Sequence, residues 1–507
     1  MNAPVSTGQR LGTARDHVEV RAGAYRDSVS LMQVSRAAQQ VPGVTAALVS
    51  MATPLNLELL EGMGFARPEA GSNDLVLAVR AEDEHSLGAA LAAVEAALAQ
   101  QGSTSAGDRP SSTARTLRAA AARHDGTLAL VSVPGPYAFV EAMEALEAGL
   151  HVMVFSDNVP VEQEVRLKDE GARRGLLVMG PDCGTAVVGG VGLGFADVVR
   201  PGPVGIVAAS GTGAQHLMAL LDAAGVGVSH CLGVGGRDLS AAVGARSTRQ
   251  ALALLDTDPS TELVVLVSKP ADPAVAASLE SYTASLRTPV VLATLGVGRP
   301  DLTAVAGKVL DALGRVRGPW PEWGQARRSP RPGGALRGLF CGGTLCDEAM
   351  AVASDLLGPV RSNIPLDPAW ALPPGLPSGQ HGDGHWMVDF GDDALTAGRP
   401  HPMIDPSLRL ACLAEVLGDP ATGAVLLDVA LGHGAHPDPA AGLAQVIDGS
   451  DVPVVVSLTG TSGDPQGLER QARQLADAGA HVLLSNAAAA RAAAALVPGE
   501  KTGKGRG

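Results

Sequence analysis

Two glycine turns and one histidine-bearing loop carry the residue types that could do chemistry in this chain. Ser210-Gly211-Thr212-Gly213 follows the apolar run Val204–Ala209. It precedes a helical pattern with Ala214, Leu217, Met218 and Leu221 at i, i+3, i+4 and i+7. Ser210 is placed as the N-cap and Gly225 just past the end, so start and stop are both signalled. Gly342-Gly343-Thr344 repeats the arrangement between LRGLFC and LCDEAMAVASDLLG. A helix start leaves N–H groups unpaired and carries about half a positive charge, so each turn predicts an anion site. The competing reading is a plain tight turn between strand and helix, which also requires glycine.

The loop Gly432-His433-Gly434-Ala435-His436-Pro437-Asp438 follows the strand AVLLDVA, at the carboxyl end where α/β proteins bind ligands. His433 and His436 could orient a carbonyl or act as general acids near neutral pH; otherwise they belong to a solvated loop. Lys269, after the apolar LVVLVS, is suited to pairing with an anion. Asp347 and Glu348 fall in the first turn of the helix after Thr344 and are expected to cap it. His216 and His230 are read as satisfied interior groups. No metal site is expected, because Cys341-x4-Cys346 has no second pair at ligand spacing. Both cysteines are read as small buried residues flanking a turn.

Elements that would position these residues are legible from composition and pattern. A chain of 507 residues should hold three or four domains. Hydrophobic residues make up 46% but aromatics only 3%, so the cores must be built from Ala, Val and Leu. The net charge of −14 argues against nucleic acid or an anionic membrane as partners. MNAPVSTGQRLGTARDH has no apolar core, so no secretion signal is expected there. No uninterrupted apolar run reaches the roughly 18 residues of a membrane span. Five scattered cysteines suit a reducing cytoplasm.

The pattern divides the chain into a flexible N-terminus (1–16), a small ferredoxin-like α+β domain (17–100, read β-α-β-β-α), and a polar linker (101–118). Alternating strands and helices over 119–200 predict a Rossmann-like doubly wound unit. Similar alternation over 201–314 and 336–498 predicts two more α/β domains of flavodoxin-like type. A Pro-, Gly- and Arg-rich linker (315–335) joins those two, and 499–507 reads as a disordered basic tail.

Specific wording within these units resembles a known family. The stretch ALVSVPGPYAFVEAMEALEAGLHVMVFSDNVP, Met179-Gly180-Pro181-Asp182-Cys183-Gly184, Gly202 through Thr212 and Gly233-Val234-Gly235-Gly236 resemble the alpha subunit of succinyl-CoA synthetase. The order of domains, with Gly342 to Met350 and Leu431 to His436, is similar to the FdrA family of the NDP-forming acyl-CoA ligases. The resemblance implies a CoA-binding-type domain followed by two succinyl-CoA-ligase-type domains. It also implies a substrate or CoA-like pocket at Pro134, Gly135, Gly180, Pro181, Asp182, Cys183, Gly235, Gly236 and Lys269. A phosphate site is implied at Ser210, Gly211, Thr212, Gly213, Gly342, Gly343 and Thr344.

Three departures limit what the resemblance carries over. The strand PVVLATLG runs into Gly296-Val297-Gly298-Arg299-Pro300, without the family's phosphate-carrying histidine. The family's acidic position nearby reads Ser268-Lys269-Pro270. The glycine-rich loop that cradles CoA phosphates has no counterpart, so CoA is a possible ligand without its cradle and no cofactor is firmly expected. No nucleotide-binding region precedes the last domain.

The expectation is therefore an enzyme subunit handling an acyl or carbamoyl phosphate and a carboxylate or amide acceptor, with partner subunits. FdrA resemblance implies oxamate carbamoyl transfer in allantoin breakdown. Two alternatives stand beside it. One is an acid–CoA ligase with a separate nucleotide-binding subunit, in which His433 or His436 carries the phosphoryl group. The other is a non-catalytic scaffold.

Overall fold

The computed structural model describes residues 15–498 except 25, 27, 72, 103–113, 115, 374–383 and 397–399. Expectations for 1–14, most of the 101–118 linker and the 499–507 tail lie outside these residues. The chain divides into two compact units, Met1–Thr116 and Leu117–Gly507.

In the first unit three antiparallel strands run in the order Arg15–Arg21, Leu75–Ala81, Val44–Met51. Arg15 and Asp16 thus belong to the edge strand and not to a free terminus. The central strand LVLAVRA is apolar at nearly every position because both of its faces are covered. Helices Ser28–Gln39 and Glu84–Gly102 bring Leu31, Val34, Ala90 and Val94 to one face. Pro54–Gly62 and Phe65 pack on the other. This is the small α+β domain expected from the sequence, with its antiparallel sheet.

In the second unit a short parallel sheet holds Leu128–Val131, His151–Val154 and Val178–Met179. A six-stranded sheet follows, with Val290–Thr294, Leu263–Ser268, Val204–Ala209 and Val228–Gly233 in parallel. The hairpin Thr185–Val188/Val191–Gly194 completes its edge, pairing antiparallel through Cys231 and Val187. That hairpin lies in the 119–200 segment by sequence but belongs to the next sheet by hydrogen bonding.

A seven-stranded sheet takes the rest of the chain. Ala335–Phe340 lies between His385–Asp389 and Thr422–Ala430, and Val454–Thr459 and His481–Leu483 extend it. Glu322–Trp323 pairs antiparallel with the last of these, so 315–335 contains an edge strand in addition to connecting chain.

Strand order decides where ligands can sit. From Val204–Ala209 the next strand in sequence lies on one side and the two after it on the other. Ala335–Phe340 is likewise a switch point, with the next two strands in sequence on one side and the three after them on the other. Both strands are fully buried, and both end at the point where connections leave in opposite directions, opening a crevice. The two sheets share a core: Leu484 packs into the cluster around helix Gly211–Ala223. His216 Nδ1 lies 2.9 Å from Thr459 Oγ1 in the same interface.

Candidate functional site

Helix Gly211–Ala223 begins as the sequence indicated. Ser210 is extended, and its Oγ accepts from the Gly213 N–H at 3.0 Å. The start of helix Gly343–Leu357 comes against it, with Ser210 Oγ 2.7 Å from Thr344 Oγ1. A Cβ on Gly342 would lie 2.8 Å from Thr212 Cγ2, so only glycine lets the turns approach this closely. Two helix starts from distant parts of the sequence, at Gly211 and Gly343, therefore open on one cavity of about 150 Å³.

Phosphate-sized anions need donors, and the two turns supply them unequally. The Cys341 and Gly342 N–H groups donate to the two oxygens of buried Asp428, at 2.7 and 2.9 Å. Arg409 Nη1 donates to the same carboxylate at 2.8 Å. The Gly342 amide, expected as a phosphate donor, is thus already taken, and Gly213 is engaged by Ser210. Among the described residues, the N–H groups left open at these starts are those of Gly211, Thr212, Gly343, Thr344 and Leu345.

Around these donors the cavity is lined by Lys269, Asp182, Asp389, Gln215, Cys183, Gly235 and Gly236, among others. Asp389 ends strand His385–Asp389; its Oδ1 accepts from the Gly391 N–H at 2.8 Å. A Cβ on Gly343 would come within 2.7 Å of Asp389 Oδ2 and 3.3 Å of Lys269 Nζ, so acid and cation both border that turn. Burial pushes the Asp389 carboxyl up to about 7, against the pull of Gly391 and Lys269 and with help from Asp428 and Asp347. Asp347 is raised to about 6 by burial, with Lys269 opposing. Asp182 keeps an exposed face, yet lost hydration within the crevice raises it, and Asp393 adds to the shift.

The remaining expected residues fall elsewhere. His433 is exposed and His436 half-buried, and neither lines the cavity. The His433 backbone pairs with Ala196, and His436 Nδ1 accepts from the Asp438 N–H at 2.9 Å. Their loop does follow the strand end, but it turns away to cover the hairpin 185–194. Pro134 and Gly135 start helix Gly135–Glu147, and Gly180 and Pro181 form a turn behind Gly235; none of the four lines the cavity.

Expected capping by Asp347 and Glu348 is also replaced. Thr344 turns to Ser210, and Glu348 instead accepts the Leu302 N–H at 2.6 Å and Asn486 Nδ2 at 2.7 Å, capping the neighbouring helix. Cys341 and Cys346 are buried thiols, as read.

Sequence reasoning missed Asp389, Gln215, Thr185, Phe195 and Met403 as cavity residues. Asp389 had a usable signal, since it closes an apolar strand next to a switch point. His401, also unremarked, packs against Phe195 with ring centroids 5.5 Å apart, and burial lowers it to about 4, so it is neutral at pH 7.

Comparison with known proteins follows the two-unit division. Residues 14–115 match a model described as AllF, heavy metal-associated domain, and residues 339–496 match one described as CoA-ligase. The uncharacterized protein YahF of Escherichia coli is 37% identical over 500 residues, covering 91% of this chain and 95% of that protein. The chain belongs to the FdrA family. This family is a succinyl-CoA-ligase-like branch of the acyl-CoA synthetases, and the chain is an enzyme of acyl-CoA ligase type.

More distant similarity falls on alpha subunits. The malate–CoA ligase subunit alpha of Methylorubrum extorquens is 27% identical, covering 39% of this chain and 69% of that protein. The ADP-forming succinate–CoA ligase subunit alpha 2 of Archaeoglobus fulgidus is 30% identical, covering 38% and 65%.

Heavy-metal binding does not fit this member of the FdrA family. Residues 14–115 contain no cysteine, so thiolate donors for a soft metal are missing. Among the described residues no group of His, Cys, Asp and Glu is arranged to hold a metal. No described helix is long and apolar enough to cross a membrane.

Proposed function

We propose that the chain handles an acyl or carbamoyl phosphate, with the phosphate gripped by main-chain amides of the two opposed helix starts and never bonded to a histidine. The observation that carries this reading is the 2.7 Å approach of Ser210 Oγ and Thr344 Oγ1 beside a cavity with no histidine in its lining. Each helix end contributes about half a positive charge, and two together suit a doubly charged leaving group. Lys269 adds a full charge at the same cavity.

In this reading the acceptor's amide nitrogen or carboxylate oxygen attacks the carbonyl carbon. The carbon–oxygen bond to phosphate breaks, and its electron pair leaves with the phosphate. An amide acceptor gives up one proton, and Asp389, raised to about 7, is the group placed to take it. The family resemblance points to oxamate carbamoyl transfer in allantoin breakdown. The alpha-subunit relatives support partner subunits that complete the enzyme.

A second reading, acid–CoA ligase activity with a separate nucleotide-binding subunit, is favoured by the similarity to malate–CoA and succinate–CoA ligase alpha subunits. Incubating the chain with carbamoyl phosphate and oxamate, alone and with co-purified partners, separates the two. Phosphate release without nucleotide supports carbamoyl transfer. Stoichiometric phosphohistidine formed from ATP, or tight CoA binding, overturns it in favour of the ligase.

A further inference from the structure

Val290–Thr294 closes one side of the six-stranded sheet, beyond Leu263–Ser268. Both of its faces are covered. Val290 and Leu292 pack against the cluster that holds Leu279 of helix Pro273–Thr283. Val291 packs against the cluster that holds Val305 and Val309 of helix Leu302–Ala312. The neighbouring strand Leu263–Ser268 is buried at every position. Val290, Val291, Leu292 and Thr294 are only half-buried, so their exposure comes from the open edge. Among the described residues, nothing hydrogen-bonds to the main chain of that edge. Val297, 60% exposed, continues the apolar surface past the strand end.

An open edge is a template for pairing, and sheets blunt it with charge, brevity or cover. Other edges of this molecule show those devices. On Val44–Met51, Gln39 Nε2 donates to the Ala47 carbonyl and the Val49 N–H donates to Ser35 Oγ, both at 2.8 Å. Arg15–Arg21 carries Arg15, Asp16, His17, Glu19 and Arg21. Val360–Ser362 is met by Leu372, whose N–H donates to the Ser362 carbonyl at 2.8 Å, and Glu322–Trp323 is short and bears an acid. Among the described residues, Val290–Thr294 is the longest edge strand with neither a charge nor a side chain engaging its main chain.

We infer that Val290–Thr294 is the pairing edge of a homodimer, in which two copies of this chain join antiparallel about a two-fold axis at Leu292 to form one continuous sheet. A two-fold interface must be complementary to itself. In this register Val290 faces Thr294 of the second copy, Val291 faces Ala293 and Leu292 faces Leu292, so no charge meets a like charge. Arg287, the nearest charged residue before the strand, already has Asp256 of its own chain beside it, Nε to Oδ2 3.6 Å. The covering helices meet their own counterparts, one pair on each face of the joined sheet. The inference does not depend on the reaction proposed above.

The test is the mass of the full chain in solution, read by light scattering and by sedimentation. At about 10 μM the chain should run at twice the 51.1 kDa of one copy. Leu292→Lys sets two like charges against each other on the axis and should weaken association by about 100-fold. Leu292→Glu should do the same, and mixing the two variants should bring the dimer back, because unlike charges then meet. A monomeric unmodified chain overturns the inference, including one that associates only with a different subunit. A dimer that persists in Leu292→Lys overturns it as well, because pairing then uses another surface. A mixture that stays monomeric overturns it too, since the register requires the two side chains to face each other.

Discussion

The two glycine turns look alike in sequence and are built differently. The Gly211 turn is locally self-sufficient: Ser210 caps its own helix and reaches Thr344 with the same oxygen. The Gly343 turn has a glycine N-cap with no side-chain bond. Its preceding amides are held by Asp428, from the neighbouring strand, and Asp428 is in turn held by Arg409 from helix Ser407–Gly418. One turn depends on a single hydroxyl, the other on a buried ion pair spanning three elements. The same strand–glycine–helix wording therefore leaves different sets of N–H groups for a ligand.

The sharpest way to break this contrast is Asp428→Ala, which leaves Arg409 buried without its counter-charge. Urea unfolding should show a loss of about 3–5 kcal/mol, and a loss below about 1 kcal/mol would mean the pair does not organise the second turn. Gly343→Val should lower phosphate affinity by about 100-fold, because the new side chain would run into Asp389 and Lys269. Calorimetry with inorganic phosphate reads this, and undiminished binding would place the anion elsewhere.

Ser210→Ala should cost about 1 kcal/mol in unfolding free energy, as for other helix caps, and weaken phosphate binding by only severalfold. A loss as large as that of Asp428→Ala would erase the distinction between the turns.

Dependence on pH sharpens the same picture. Asp389, raised to about 7, is neutral below that value and gains a negative charge above it. Affinity for sulfate, whose own charge is constant in this range, should therefore fall by severalfold between about pH 6 and 8, and Asp389→Asn should lessen the decline, with Asp182, raised to about 7 in the same lining, carrying the remainder. The smallest effect is expected for His433→Ala and His436→Ala, within about twofold in phosphate affinity, because neither side chain reaches the cavity lining. A large loss in either variant would restore the loop as part of the site.

Much of this was readable from the chain. Apolar runs such as VGIVAA and LVVLVS announced buried parallel strands, and Ser210 and Gly225 marked helix ends, because burial and capping are local demands. Glu322–Trp323 was not, since two residues of edge strand have no period to detect and pair with a strand 158 residues later. The hairpin 185–194 was not legible as an edge of the next sheet either, since its hydrogen-bonding partner comes later in sequence.

Residue type and spacing alone marked two glycine-rich helix starts, a lysine after an apolar strand and the lack of a histidine in the family's usual turn. Which amides stay open, which acid borders them and which histidines stand apart depended on packing between distant segments. Asp428, Arg409, Asp389 and Gln215 acquire their roles only when the sheets bring strand ends together. A buried carboxylate or carboxamide is defined by the partners around it, and those partners are set by the fold and not by neighbours in sequence.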